Sequence, residues 1–186
     1  MKKHIQILIV LGFVITTVFP ANAIITDLSV EVEGVECMYC AHKLSDALKD
    51  LKFIEDVKIN NGARELALVT RANKKFDVED LRKSIKKSGF EAGKITLTVS
   101  GKIISDTAGF YYLESSSDKS KFSLFDKENQ YDFDTTYWLE PMYLGKELAD
   151  KVVKAKKQNK TVTVKGEIHD HIGLQTGLLI EEIEIR

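Results

Sequence analysis

This chain of 186 residues has only two cysteines, two prolines, one tryptophan and four histidines. Lys and Arg total 27 against 28 Asp and Glu, so the basic excess that a nucleic-acid surface needs is missing. After Ala23 no long apolar run occurs, which removes any further membrane span. There is no serine–histidine–acid grouping in a motif context, no phosphate loop and no zinc-protease helix, so the chain is not expected to be an enzyme. Internal repeats and low-complexity linkers are absent as well.

What is present begins with a leader. Met1-Lys2-Lys3 is a short positive start, Ile5 to Phe19 is mostly apolar, and Ala21-Asn22-Ala23 is a small-x-small cleavage site. Residues 1–23 therefore read as a secretory signal peptide. The apolar run falls short of the roughly 18 residues that a membrane helix usually needs. No cysteine follows the cleavage site, so a lipid anchor is not expected. The mature chain, 186 − 23 = 163 residues, is expected to be soluble and periplasmic or otherwise secreted. Losing Lys2 and Lys3 leaves 27 − 2 = 25 basic residues against 28 acidic ones, a net of −3.

Residues 24–97 alternate between two periodicities. Leu28, Val30 and Val32 alternate with Ser29, Glu31 and Glu33, which predicts a strand with one buried face. From Cys40 to Leu51, apolar Ala41, Leu44, Ala47, Leu48 and Leu51 recur at helical spacing. Val57 and Ile59, the turn signal Asn60-Asn61-Gly62, then Leu66 and Leu68 predict a hairpin. Asp77 with Asp80 marks a helix start, Leu81 and Ile85 its buried stripe, and Gly89 its end. Ile95, Leu97 and Val99 open another strand. Strand, helix, strand, strand, helix, strand is the split βαβ, ferredoxin-like order.

Residues 98–186 change character. Short strands are expected over 98–104, 110–114, 121–125, 161–169 and 178–185, with one helix over 146–157. Five strands with a helix before the fourth predict a small OB-like β-barrel. The stretch 126–143 has no assignment. The fold class is thus α+β: a ferredoxin-like βαββαβ domain followed by a mostly-β barrel, the two abutting near Leu97 on one continuous strand.

Both cysteines fall in Gly34-Val35-Glu36-Cys37-Met38-Tyr39-Cys40, between the first strand and the first helix. A disulfide across so small a loop removes little unfolded-chain entropy, so metal binding or redox chemistry explains the spacing better. Thiolates are soft ligands that select Cu(I), Zn(II) and similar ions. Two sulfurs cannot complete the tetrahedral shell of structural zinc. They suit an ion content with few ligands, or a shell left open for a partner's ligands. Cys40 at the helix start gains from backbone N–H groups and the positive dipole end, which favour a thiolate.

The cysteine loop, Ala41 and the following helix resemble the heavy-metal-associated (HMA) domain, as does the closing segment Lys87-Ser88-Gly89-Phe90-Glu91-Ala92. The resemblance covers roughly 70 residues in the expected order. It implies that Cys37 and Cys40 bind a soft metal ion, commonly Cu(I), and that Phe90 packs beneath the metal loop. Val35 stands where the family usually has methionine, an apolar swap into the core. Glu36 stands where copper-handling members tend to have threonine, serine or histidine, and where zinc, cadmium or lead relatives often have aspartate. A carboxylate there could add a hard oxygen ligand for a divalent ion. Copper stands slightly ahead of zinc-type ions.

The sharpest rival is a thiol-disulfide exchange protein, since oxidoreductases also place CxxC at a helix start. They rely on a cis-proline facing the pair and usually a tryptophan before it. Here no proline lies between Pro20 and Pro141, and the only tryptophan is Trp138. His42 is expected on the helix's solvated side. His169-Asp170-His171 lies between the last two strands and reads as a turn cluster before a metal site. Met38, Met142, Tyr137, Trp138 and Tyr143 read as scattered core filling. Lys151, Lys154, Lys156, Lys157 and Lys160 form the wet face and end of a helix. The expectation is an exported soft-metal carrier or scavenger, exchanging its ion with a protein donor or acceptor. A barrel that binds a protein, with the first domain as metal sensor, is the third reading.

Overall fold

The computed structural model describes residues 25–35, 37–59, 64–107, 110–126, 144–169 and 176–186. Its elements are β1 (Thr26–Glu33), α1 (Met38–Lys49), β2 (Ile54–Ile59), β3 (Glu65–Thr70), α2 (Val78–Lys87), β4 (Glu91–Ser105), β5 (Tyr111–Ser115), β6 (Lys121–Asp126), α3 (Lys146–Lys157), β7 (Thr161–His169) and β8 (Gly177–Ile185). Their types and order follow the sequence pattern. The turn Asn60-Asn61-Gly62 lies outside the described residues, but β2 and β3 pair antiparallel from Ile59↔Leu66 to Ile54↔Thr70, as a hairpin requires.

The first half is an antiparallel sheet in the order β2-β3-β1-β4. Leu28, Val30 and Val32 of β1 and Leu66 and Leu68 of β3 are buried, and so are Leu44 and Leu48 of α1 and Leu81 and Ile85 of α2. Alternation in the strands and helical spacing in the helices bring these side chains into one layer, each worth about 1.5–3 kcal/mol when fully buried. Asp77 caps α2 by accepting the Asp80 N–H at 3.0 Å, and the Ser84 hydroxyl ties α2 to α1 through the Ala47 carbonyl at 3.2 Å. Mixed α+β with a ferredoxin-like first half is the observed class.

The second half closes on itself. β4 pairs with β5, β5 with β6, β6 with β8 in parallel, β8 with β7, and β7 returns to β4. The result is a closed five-stranded barrel whose wall includes β4. Val99, Ile103, Leu113, Phe122, Val162, Val164, Leu178 and Ile180 are buried, and α3 buries Val152 and Ala155.

β4 runs unbroken through Leu97. Its odd-numbered residues from Ile95 to Ile103 are buried in strict alternation, so nothing in the pattern interrupts it. Its first part pairs with β1, its last part with β5, and Thr96 to Lys102 with β7. The cores of the halves are likewise continuous. Phe76 of the β3–α2 connection sits edge-on to Phe53, with centroids 5.5 Å apart, and stacks at 6.3 Å on Phe122 of the barrel.

Candidate metal centre

β1 ends at Glu33, paired with Glu91 at the start of β4, and the chain then turns at Gly34. Gly34 has φ +84°, a left-handed conformation that costs a side-chain-bearing residue energy but not glycine. A Cβ added there would lie 3.8 Å from Phe90 Cδ1, so the Phe90 ring lies against the start of the loop. Val35 is half-buried and packs on the core, as does Phe90.

Cys37 is the N-cap of α1, with extended φ −142° and ψ 151°. Its Sγ accepts the Cys40 N–H at 3.1 Å, and its carbonyl accepts the Ala41 N–H at 3.0 Å. α1 therefore begins at Met38, two residues earlier than its apolar stripe indicates. A cysteine sulfur fills the place usually taken by Ser, Thr, Asp or Asn, so no ordinary capping signal marks the start. Ala41, Leu44 and Leu48 anchor the first turns in the core.

The two sulfurs meet as a disulfide, with Cα atoms 5.2 Å apart. Cys37 is exposed and Cys40 half-buried. The first turn of α1 holds no acidic residue, so its positive end is available to a sulfur anion. Once the bond is reduced, this geometry leaves two thiols on one helix turn, one of them already receiving a backbone hydrogen bond. That is a bidentate soft-donor site with an open outer side.

Residues 29–91 match the profile of the heavy-metal-associated domain family. This segment, about a third of the chain, is similar to that family. The match opens within β1 and closes at the first residue of β4, so it takes in most of β1, the cysteine loop, α1, β2, β3 and α2, but only the edge of β4. Neither the curated proteins nor the solved structures return a match to the chain. Domains of this family bind soft heavy-metal ions.

Around the cysteine pair, the described residues offer no group of His, Cys, Asp or Glu numerous enough to cage an ion by itself. Glu36 lies outside the described residues. His42 is exposed on α1, as its helical phase requires. His169 is the last residue of β7, across from Gly177, while Asp170 and His171 lie outside the described residues. No described helix is long and apolar enough to cross a membrane.

One expectation is overturned. Met38 does not fill the core: it is 54% exposed, and Tyr39 beside it is 80% exposed. Both sit in the first turn of α1: Tyr39 faces away from Ala41 and Leu44, whereas Met38 shares the side of Ala41 and Ser45 but lies at the exposed start of the helix. Met142, Tyr137, Trp138 and Tyr143 lie outside the described residues. Helical phase alone would also turn Met38 inward; its place at the very start of α1 is what leaves it exposed.

Proposed function

We propose that this protein is an exported carrier of a soft metal ion, held by Cys37 and Cys40 and exchanged with a protein donor or acceptor. The observation that carries the reading is the placement of both sulfurs at the exposed N-terminus of α1, one capped by the Cys40 N–H and the other half-buried. Two thiolates satisfy Cu(I), which is content with few ligands, and leave room for an incoming ligand from the acceptor. Glu36 keeps a divalent ion such as Zn(II) as the second choice of cargo. The leader at residues 1–23 supports export to a periplasm. The chain acts as a binding protein, not an enzyme.

The barrel reads as OB-type. Numbering its strands along the chain, the first pairs with the second and fourth, the third runs parallel to the fifth, and a helix lies between third and fourth. Its role is docking or positioning.

The test is a competition titration of the reduced protein with Cu(I) and with Zn(II), each against a chelator of known affinity. Parent, Glu36→Thr and the double variant Cys37→Ser, Cys40→Ser are compared. One-to-one Cu(I) binding that ignores Glu36 and vanishes in the double variant is expected. Zn(II) binding that weakens in Glu36→Thr would make the cargo divalent, and tight binding retained without the cysteines would end the proposal. The disulfide itself favours a second reading, thiol exchange. Rapid turnover of a dithiol–disulfide couple without metal binding would select it.

A further inference from the structure

One end of the barrel concentrates positive charge that the metal reading does not use. Lys154, Lys156 and Lys157 are exposed in the last turn of α3, and Lys160 is exposed just past it. Lys102 of β4 joins them, opposite Thr161 in the β4–β7 ladder with its ammonium donating to the Asn159 carbonyl. Lys156 reaches Ser105 Oγ and lies 5.8 Å from the centre of the Tyr111 ring. These contacts gather the ends of α3 and β4 and the starts of β5 and β7 into one surface.

Among the described residues none of these five lysines forms an ion pair, whereas Lys151 one turn earlier pairs with Glu147 at 2.7 Å. Asp106, just past the end of β4, is engaged by the Tyr112 hydroxyl and the Phe110 N–H, each at 2.9 Å. Arg186, whose N–H bonds the Thr161 carbonyl, is held by Glu184. The like charges repel one another, and the negative end of the α3 dipole offsets only part of that. The chain as a whole has a net charge of −1, so this local group of five lysines stands against a balanced total.

The cysteine end carries both signs, with Arg64, Lys86 and Lys87 beside paired glutamates. Glu31 stands across from Glu65 and Glu33 from Glu91 in the β1 ladders. Glu91 and Lys102 are eleven residues apart on β4, roughly 36 Å along the strand. A negatively charged plane would attract the lysine cluster, and the length of β4 then keeps the cysteine loop at a distance from it. The attracting groups are lysines, hydrated point charges on pliant stems, which suit a diffuse field; gripping individual carboxylates in fixed geometry favours arginine.

We propose that the lysine end of the barrel is an attachment surface for an anionic phospholipid bilayer, holding the cysteine loop away from it. The test uses the chain from Ile24 onward, which keeps every described strand and helix. It is sedimented with vesicles of phosphatidylcholine alone or mixed with phosphatidylglycerol. Partition onto the mixed vesicles only, reversed by salt, is expected. A lysine near such a surface contributes about fivefold, so K154Q/K157Q/K160Q should weaken partition on the order of a hundredfold. Its melting temperature should match the parent's. The Cys37→Ser, Cys40→Ser variant should partition like the parent, which separates this proposal from the metal reading. No partition onto the anionic vesicles, or equal partition of the triple variant, overturns it. So does capture by soluble polyglutamate without vesicle binding, which would assign the patch to an acidic protein.

Discussion

The backbone N–H of Phe76 donates to Asp118 Oδ2 at 2.9 Å, tying the β3–α2 connection to the β5–β6 turn. The same carboxylate accepts the Ser120 hydroxyl, and its other oxygen accepts the Ser120 N–H at 3.2 Å. Phe76 thus contributes its backbone to a polar joint and its ring to the aromatic contact with Phe122.

Replacing Asp118 with alanine leaves the part-buried Phe76 N–H without its acceptor. The expected cost is about 1–3 kcal/mol. Urea denaturation should show a lower midpoint with an unchanged slope. A loss under about 0.5 kcal/mol would mean that aromatic packing alone holds the joint.

Burial pushes the Asp118 carboxyl up, but the hydroxyls of Ser115 and Ser120 and the N–H groups of Phe76 and Ser120 together hold it below the usual 3.8. A depressed value stabilises the folded state above the ordinary carboxylate range, and the contribution is lost as pH falls through the lowered value. Comparing parent with Asp118→Asn, the stability gap should be full at neutral pH and shrink below 3.8. A gap that widens on acidification would reverse the sign.

Gly101 lies where β4 crosses closest to β5. A Cβ there would stand 2.1 Å from the Glu114 carbonyl oxygen and 2.8 Å from its carbon, both backbone atoms. Gly101→Ala should therefore destabilise by about 3 kcal/mol or more, since no side-chain end can swing aside. A variant that melts with the parent would mean that β5 shifts freely.

Cutting the chain after Val99 severs β4, removes its pairing with β7 and strips Phe122 from Phe76. The fragment from Ile24 to Val99 should keep the cysteine loop but unfold at clearly lower denaturant than the whole. An equal midpoint would show that the barrel contributes nothing to the first half.

Exposure of Met38 and Tyr39 predicts that Met38→Ser and Tyr39→Ser each change stability by less than about 0.5 kcal/mol. A core residue at either place would cost several times more. Thermal melts of the two variants decide it.

Much of this fold was legible because neighbours in sequence decide it: alternation in β1, the Asp77 cap of α2, the stripe of α3. The HMA resemblance was carried by the cysteine loop together with the segment around Phe90. Long-range partners were not legible. The parallel β6–β8 ladder and the return of β7 to β4 depend on register between segments tens of residues apart. Asp118, in Ser115-Ser116-Ser117-Asp118-Lys119-Ser120, has the composition of a solvated turn. Only the approach of Phe76 makes it a joint. At the site, Cys37 acts as a helix cap that its residue type does not advertise.

The middle of β4 is hydrogen-bonded on both flanks: Thr96 and Thr98 face Ser29 and Thr26 on one side and Glu167 and Lys165 on the other. Backbone protons around Leu97 should therefore be the last to trade for deuterium, released only when the whole molecule opens. An ion captured at Cys37 and Cys40 favours the folded form over the open one. Occupancy of the loop would then be recorded as slower isotope uptake at Val162 and Val164, which pair with Gly101 and Val99 well along β4 from its cysteine end.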